Sequence, residues 1–229
     1  MLRILDIALS VIALLVLSLI LVPVILILRV TGEGEIFFIQ KRIGRNGEIF
    51  GLLKFATMLK NSPYIGTETI TVKNDPRVLT FGKFLRKTKI NELPQLLNIL
   101  LGHMSLIGPR PLTQQTFHLY PKKVQKKVQR VKPGLSGIGS IVFRNEEDIL
   151  NRGTESKTIY RDLVAPYKGA LETWFIENHG LGVYLKCIFL TVIVVFSSNS
   201  RLVWRTFPNL PPPPEELRVN LSYSELNIT

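Results

Sequence analysis

The chain has one cysteine, Cys187, in 229 residues. A lone thiol excludes an internal disulfide and any zinc site built from several cysteines, and it fits a reducing compartment. Histidine is almost as scarce. His103, His118 and His179 lie too far apart for a helical metal motif. Acid is short too: 17 Asp and Glu stand against 29 Lys and Arg, a net charge of +12. That excess implies anionic partners: phosphates, an anionic membrane surface or nucleic acid. No helix-turn-helix, RNP or zinc-finger signature favours nucleic acid. No internal repeat is visible. The length allows one ordinary domain with an appendage, or two small domains.

Charge is missing altogether from residues 7–28, "IALSVIALLVLSLILVPVILIL". As a helix this run reaches roughly 33 Å, enough to cross the hydrocarbon core. It is long for a signal-peptide core, and no small-residue cleavage site follows it. Pro23 removes a backbone hydrogen bond and crowds the preceding turn, so a kink is expected there. Arg3 and Arg29 flank the run, and basic residues at both ends favour keeping both ends cytoplasmic. Two further segments suit a membrane interface. Residues 120–131, "YPKKVQKKVQRV", put Val124, Val128 and Val131 on one helical stripe beside Lys122, Lys123, Lys126, Lys127 and Arg130. The same stripe suits packing on a core equally well. Residues 183–196 are strongly apolar but short, and carry Lys186.

Residues 34–59 read as two strands around Arg45-Asn46-Gly47, because Asn-Gly favours a hairpin turn. Residues 62–80 read as loop and 81–89 as helix. A second helix is expected from Asn91, as N-cap, with Pro94 in its first turn and Gly102 at its end. Residues 105–112 are extended between prolines, and 131–143 read as a turn followed by a glycine-punctuated strand. Residues 150–196 read as mostly helical. The tail from 198 is proline-rich, then polar, and reads as an extended or disordered arm.

Between residues 76 and 145 there are thirteen Lys or Arg and one acid, Glu92. This is a candidate anion site. A helix starting near Asn91 would aim free N–H groups at a phosphate. Lys54, Arg86 and Arg110 are candidate phosphate ligands, and Arg110 is held between two prolines. Glu92 is a candidate Mg²⁺ ligand, since Mg²⁺ takes one or two carboxylates together with substrate phosphates.

The order "FIQKRIG … KFATM … DPRVLTFGKFLRKTKINELPQLLNILLGHMSLIGPRPL … VKPGLSG", after a proline-broken hydrophobic helix, resembles the bacterial sugar transferase family of monotopic phosphoglycosyl transferases. The likeness covers about residues 1–196 and is sharpest over 36–137. It implies an α+β fold: a re-entrant membrane helix over 1–30, broken at Pro23, and a small mixed helix and strand domain over 31–197 with interfacial amphipathic helices. Residues 198–229 look unrelated to the family core and read as a separate proline-rich arm. It implies transfer of a sugar phosphate from a UDP-sugar to undecaprenyl phosphate, with release of UMP, at the cytoplasmic face of a bacterial inner membrane. Mg²⁺ is the implied cofactor, anionic lipids are further partners, and a homodimer is possible.

Carried over by motif, Glu92 matches the metal-binding Glu, and Lys54, Arg86 and Arg110 match basic site residues. Glu172 roughly matches a carboxylate from the C-terminal part. The family's nucleophilic Asp position holds Asn91 here, and a neutral amide does not form an acyl phosphate by the usual path. His103, Ala56 and Val22 are further departures. The readings left open are an active transferase, a family member that binds without turnover, and a non-enzymatic membrane adaptor. Donor specificity is expected in 60–80 and 138–172. The acidic run Glu146, Glu147, Asp148 is either a sugar contact or a solvated turn.

Overall fold

The computed structural model describes residues 1–64, 75–150, 156–197 and 201–223. It is a mixed α+β fold with one long N-terminal apolar helix. Helix α1, Leu2–Val30, continues through Pro23 as one element and is long and apolar enough to cross a membrane. It packs along its whole length on one stripe. Leu2 and Leu5 join the main core. Ala13, Leu14 and Leu17 lie against a second cluster, and Leu21, Ile25 and the buried Val24 and Leu28 belong to a third. Steps of three and four residues keep these on one face. On the other side Ile4, Leu15, Leu19 and Leu26 are exposed. Two polar links fix the start of α1. Arg3 donates to the carbonyls of Ile99 and Leu100 at 2.5 and 2.9 Å. Asp6, 3% exposed, accepts from the Leu106 N–H at 2.8 Å, the Ser105 hydroxyl at 3.0 Å and the Tyr184 hydroxyl.

Strands β1, Phe37–Ile43, and β2, Ile49–Phe55, pair antiparallel, with Phe38 opposite Lys54 and Arg42 opposite Phe50. The turn carries Asn46 at φ 58° and Gly47 at φ 80°, the left-handed conformation that Asn-Gly favours. Helix α2, Thr80–Thr88, ends where Lys89 turns left-handed at φ 62°. A 3-10 turn, Ile90–Glu92, follows, and α3 spans only Gln95–Leu100. The helix expected from Asn91 therefore starts three residues later, with Pro94 rather than Asn91 as N-cap. The left-handed step at Lys89 sends the chain into a tighter turn first. Asn91 makes no capping bond, and a helix N-terminus does not form the anion site there.

Strands β3, Ser105–Ile107, and β4, Gly134–Ser136, pair in parallel. Between them lie α4, Gln114–Phe117, and α5, Lys122–Val128. Val124 and Val128 of α5 pack on the core, while Lys122, Lys123 and Lys126 are exposed. Packing thus accounts for its valine face. The strand expected through 143 stops at Ser136, and α6, Ile138–Val142, replaces its second half. Ile138, Ile141 and Val142 are all buried, at helical spacing.

Helices α7, Glu146–Ile149, and α8, Ser156–Ile159, come next. A π-helical turn, Tyr160–Val164, leads into α9, Ala165–Asn178, and α10, Leu181–Ser197, follows. The tail does not extend away. Helix α11, Arg201–Thr206, and α12, Glu215–Arg218, put Val203, Trp204, Phe207, Leu210, Leu217 and Leu221 into the main core. The prolines between them are spacers inside a packed strap, and the Tyr167 hydroxyl donates to the Pro211 carbonyl at 2.8 Å. Composition suggested an arm because the apolar anchors are single residues spread among prolines and charges.

Trp204 is 2% exposed, so Trp204→Ala should cost about 3–5 kcal/mol. Chemical denaturation of the detergent-solubilised protein measures this, whereas a detached arm would give no change.

Candidate functional site

The site forms where β1, β2, the 3-10 turn and the end of β3 converge. Arg110 follows β3 and is placed by close backbone approach. The Gly108 N–H donates to the Ser136 carbonyl at 2.9 Å and the Gly134 N–H to the Pro109 carbonyl at 2.8 Å. A Cβ on Gly134 would collide with the Gly108 backbone, so glycine is required for this junction. Arg110 donates from Nη2 to Glu92 Oε1 at 2.8 Å, and the side chains are 32% and 13% exposed.

Glu92 is an acid among cations. Burial alone would raise its pKa, but Arg110, Lys54 and Lys89 reverse this and hold it far below the usual carboxylate range. It stays ionised at any physiological pH. Arg110 is held charged chiefly by Glu92. Lys54 on β2 is pushed well below the usual lysine value by burial, then by the charge of Arg42. Arg42 itself falls to about 10, through burial and then the repulsion of Arg110. Its Nη1 donates to the Pro111 carbonyl at 2.9 Å and its Nη2 to Gln40 Oε1 at 2.5 Å, while its buried Nε–H has no partner among the described residues. Arg86 on α2 reaches Met58 Sδ at 3.9 Å and adds its field to Lys54. Arg144 lies in the field of Glu92 and Arg110.

The structure thus brings together Lys54, Arg86, Glu92 and Arg110, four of the residues singled out in the sequence. Asn91 is there too, 5% exposed, with its Oδ1 buried and without a partner among the described residues. Glu172 joins from α9 behind Arg110, accepting a long bond from the Arg110 N–H at 3.4 Å. Its other oxygen is buried without a partner among the described residues, and burial raises the pKa of Glu172 to about 7. A side chain on Gly139 would collide with the Glu172 carboxylate. Pro23 is not part of this cluster; it is exposed on α1.

Arg42, Lys89 and Arg144 were missed from the sequence. For Arg42 there was a signal. In β1 the partly buried face carries Gln40 and Arg42, while Phe37 and Ile39 are exposed. A strand that turns polar side chains inward is built around something polar.

Among the described residues, Glu92 is the one carboxylate in an ion pair with any of the side chains of Arg42, Lys54 and Arg110, so positive charge is in excess in this partly buried place. This is a mixed α+β protein with a cation-rich cluster beside an apolar helix long enough to cross a membrane. Residues 1–198 match the bacterial sugar transferase family, and the chain belongs to it. It is 32% identical to the exopolysaccharide production protein ExoY of Sinorhizobium fredii, over 85% of this chain and 84% of that protein. It is 35% identical to the UDP-glucose:undecaprenyl-phosphate glucose-1-phosphate transferase of Klebsiella pneumoniae, over 86% of this chain and 40% of that protein. The undecaprenyl-phosphate galactose phosphotransferase of Salmonella typhimurium is 32% identical over 71% of this chain and 33% of its own length. The chain therefore spans less than half of these last two relatives.

Glu172 gives a pH test. Its folded-state pKa lies above the ordinary 4.5, so its contribution is fullest below pH 4.5 and is lost as pH rises through about 7. Glu172→Gln should remove that loss and leave the protein more stable at pH 8, by up to roughly 3 kcal/mol. Denaturant titrations of both proteins at pH 5 and pH 8 read the difference.

Proposed function

We propose that this protein transfers a sugar 1-phosphate from a UDP-sugar to undecaprenyl phosphate and releases UMP, at the cytoplasmic face of a bacterial inner membrane. The observation that carries this reading is the group of Arg42, Lys54 and Arg110 around Glu92, next to an apolar helix. Three cations suit a diphosphate and the phosphate that attacks it. The names of the Klebsiella and Salmonella relatives give the acceptor and the reaction class.

Mg²⁺ fits the oxygen atoms present. Glu92 offers an ionised carboxylate and Asn91 a buried amide oxygen without a partner among the described residues. No group of three His, Cys, Asp or Glu suited to a metal occurs among the described residues. That is compatible with Mg²⁺, which takes few protein ligands and completes its shell with phosphates and water. When bound, the ion neutralises negative charge on the diphosphate. The chain's own cations do the rest. Lys54, Arg42 and Arg110 bind phosphate oxygens, align them, and stabilise the charge that develops as the leaving phosphate departs.

Asn91 decides the route. In direct displacement, an oxygen of the lipid phosphate attacks the sugar-bearing phosphorus, the bond from that phosphorus to the bridging oxygen breaks, and UMP leaves with the electron pair. Asn91 then serves as a neutral ligand. The alternative is a protein that binds donor and lipid without turnover, because its nucleophile position carries an amide.

The membrane placement rests on α1 and the surface beside it. Both ends of α1 pack on the same domain, which favours a helix that does not carry its end to the opposite side. Phe37, Ile39, Phe84, Leu97 and Leu101 add exposed apolar area on the domain itself.

A UMP-release assay with UDP-sugars and undecaprenyl phosphate tests the reading. Glu92→Ala should reduce release by at least about a hundredfold, and chelation of Mg²⁺ should abolish it. Full activity in Glu92→Ala would overturn the site. Asn91→Asp separates the routes: unchanged turnover supports direct displacement, and turnover appearing only in the Asp variant identifies a binding-only protein.

A further inference from the structure

A second polar group borders the cation cluster on the side built by α7 to α9. Lys168 of α9 is 5% exposed, and its Nζ donates to Glu146 Oε1 at 2.7 Å. The same ammonium stands 5.0 Å from the Phe143 ring centre and 5.8 Å from that of Tyr160. One buried cation is thus held by a carboxylate and two aromatic faces. Tyr160 is 6% exposed and opens the π-helical turn. A π-turn adds a residue to a helix and redirects the side chains before it, often at a functional site. This one sits directly before the helix that carries Lys168 and Glu172. The group also faces the anion site. Glu146 and Tyr160 both act on the charge of Arg110, and Tyr160 acts on Arg42.

We propose that Glu146 and Tyr160, with Lys168 fixing Glu146, form the wall that reads the sugar of the nucleotide donor. This rests on the donor reading above and names the part of that site which chooses among substrates. Lys168 holds the Glu146 carboxylate in place through its hydrogen bond. The Glu146 side chain is 24% exposed, so it retains a face able to accept from sugar hydroxyls. The Tyr160 ring is packed in the core, and its hydroxyl supplies the polar edge that a sugar hydroxyl would meet. The position follows from the chemistry of the donor: the sugar must lie beside the diphosphate, and this wall lies beside Arg110. Lys168 is a positioning residue, because its ammonium is already enclosed.

The experiment is calorimetric binding of UDP, UDP-glucose, UDP-galactose and UDP-N-acetylglucosamine to the full chain in detergent with Mg²⁺. The proteins are wild type, Glu146→Gln and Tyr160→Phe. In Glu146→Gln the preferred UDP-sugar should weaken by at least about tenfold, with UDP itself unchanged. Tyr160→Phe should narrow the differences among the three sugars. Retained UDP binding shows that each variant is folded. Two results would overturn the proposal alone: wild-type affinity of both variants for every UDP-sugar, or an equal loss for UDP and UDP-sugars. A wild-type protein that binds none of the four nucleotides defeats the donor reading and this one together.

Discussion

The ion pair between Arg110 and Glu92 is the constraint around which the rest of the site is arranged. Among the described residues it is the one side-chain ion pair within a cluster that also holds Arg42 and Lys54. In a poorly solvated place each unpaired charge is costly, and attraction inside a pair offsets only part of that cost. Glu92 balances one positive charge and leaves the others facing one another. Burial first, and this repulsion after it, depresses the basicity of Lys54 and Arg42. An arrangement of this kind has little value as a stabilising device. On the proposed function it becomes favourable when phosphate oxygens enter, and the residues that repel one another in the free protein would then bind the ligand.

The scaffold joins this charge to the membrane-facing surface through direct packing. Phe55 follows Lys54 in the chain and shares a buried cluster with Val24 and Leu28 of α1. Ile99 and Leu96 of α3, a few residues after Glu92, pack against Leu14 and Leu17. Asp6 ties the start of α1 to Ser105 and Leu106 at β3, which leads straight to Arg110. The strand that carries Lys54, the helix after Glu92 and the strand that leads to Arg110 therefore all pack on α1. On the proposed function, a lipid phosphate arriving along that helix and a soluble nucleotide would reach the same residues. The strap formed by residues 201–223 braces the opposite flank, against the helices that carry Glu172 and Lys168.

Much of this was legible in the sequence, and the limits have physical reasons. Lys54, Glu92 and Arg110 stood out because one acid in a basic segment is conspicuous at any register. The hairpin followed from Asn46-Gly47, and α1 from an uncharged run. The start of α3 was misplaced because Asn91 has the chemistry of a cap, whereas the left-handed conformation at Lys89 had already chosen a tighter turn. The C-terminal strap was misread because proline content says nothing about whether the apolar residues between prolines find a core. Glu146, Lys168 and Tyr160 meet through a π-turn and a long-range ion pair, and neither leaves a periodicity to read. Part of the expected specificity region, residues 65–74 and 151–155 with the side chains of Glu147 and Asp148, lies outside the described residues.

The claim that the excess cations await phosphate is tested most directly by an experimental structure with UDP and Mg²⁺ bound. The account predicts the diphosphate oxygens within hydrogen-bonding distance of Lys54 and Arg110, with Glu92 turned from Arg110 toward the metal or shared between them. A diphosphate bound elsewhere, with the Arg110–Glu92 pair intact and Lys54 untouched, would contradict it.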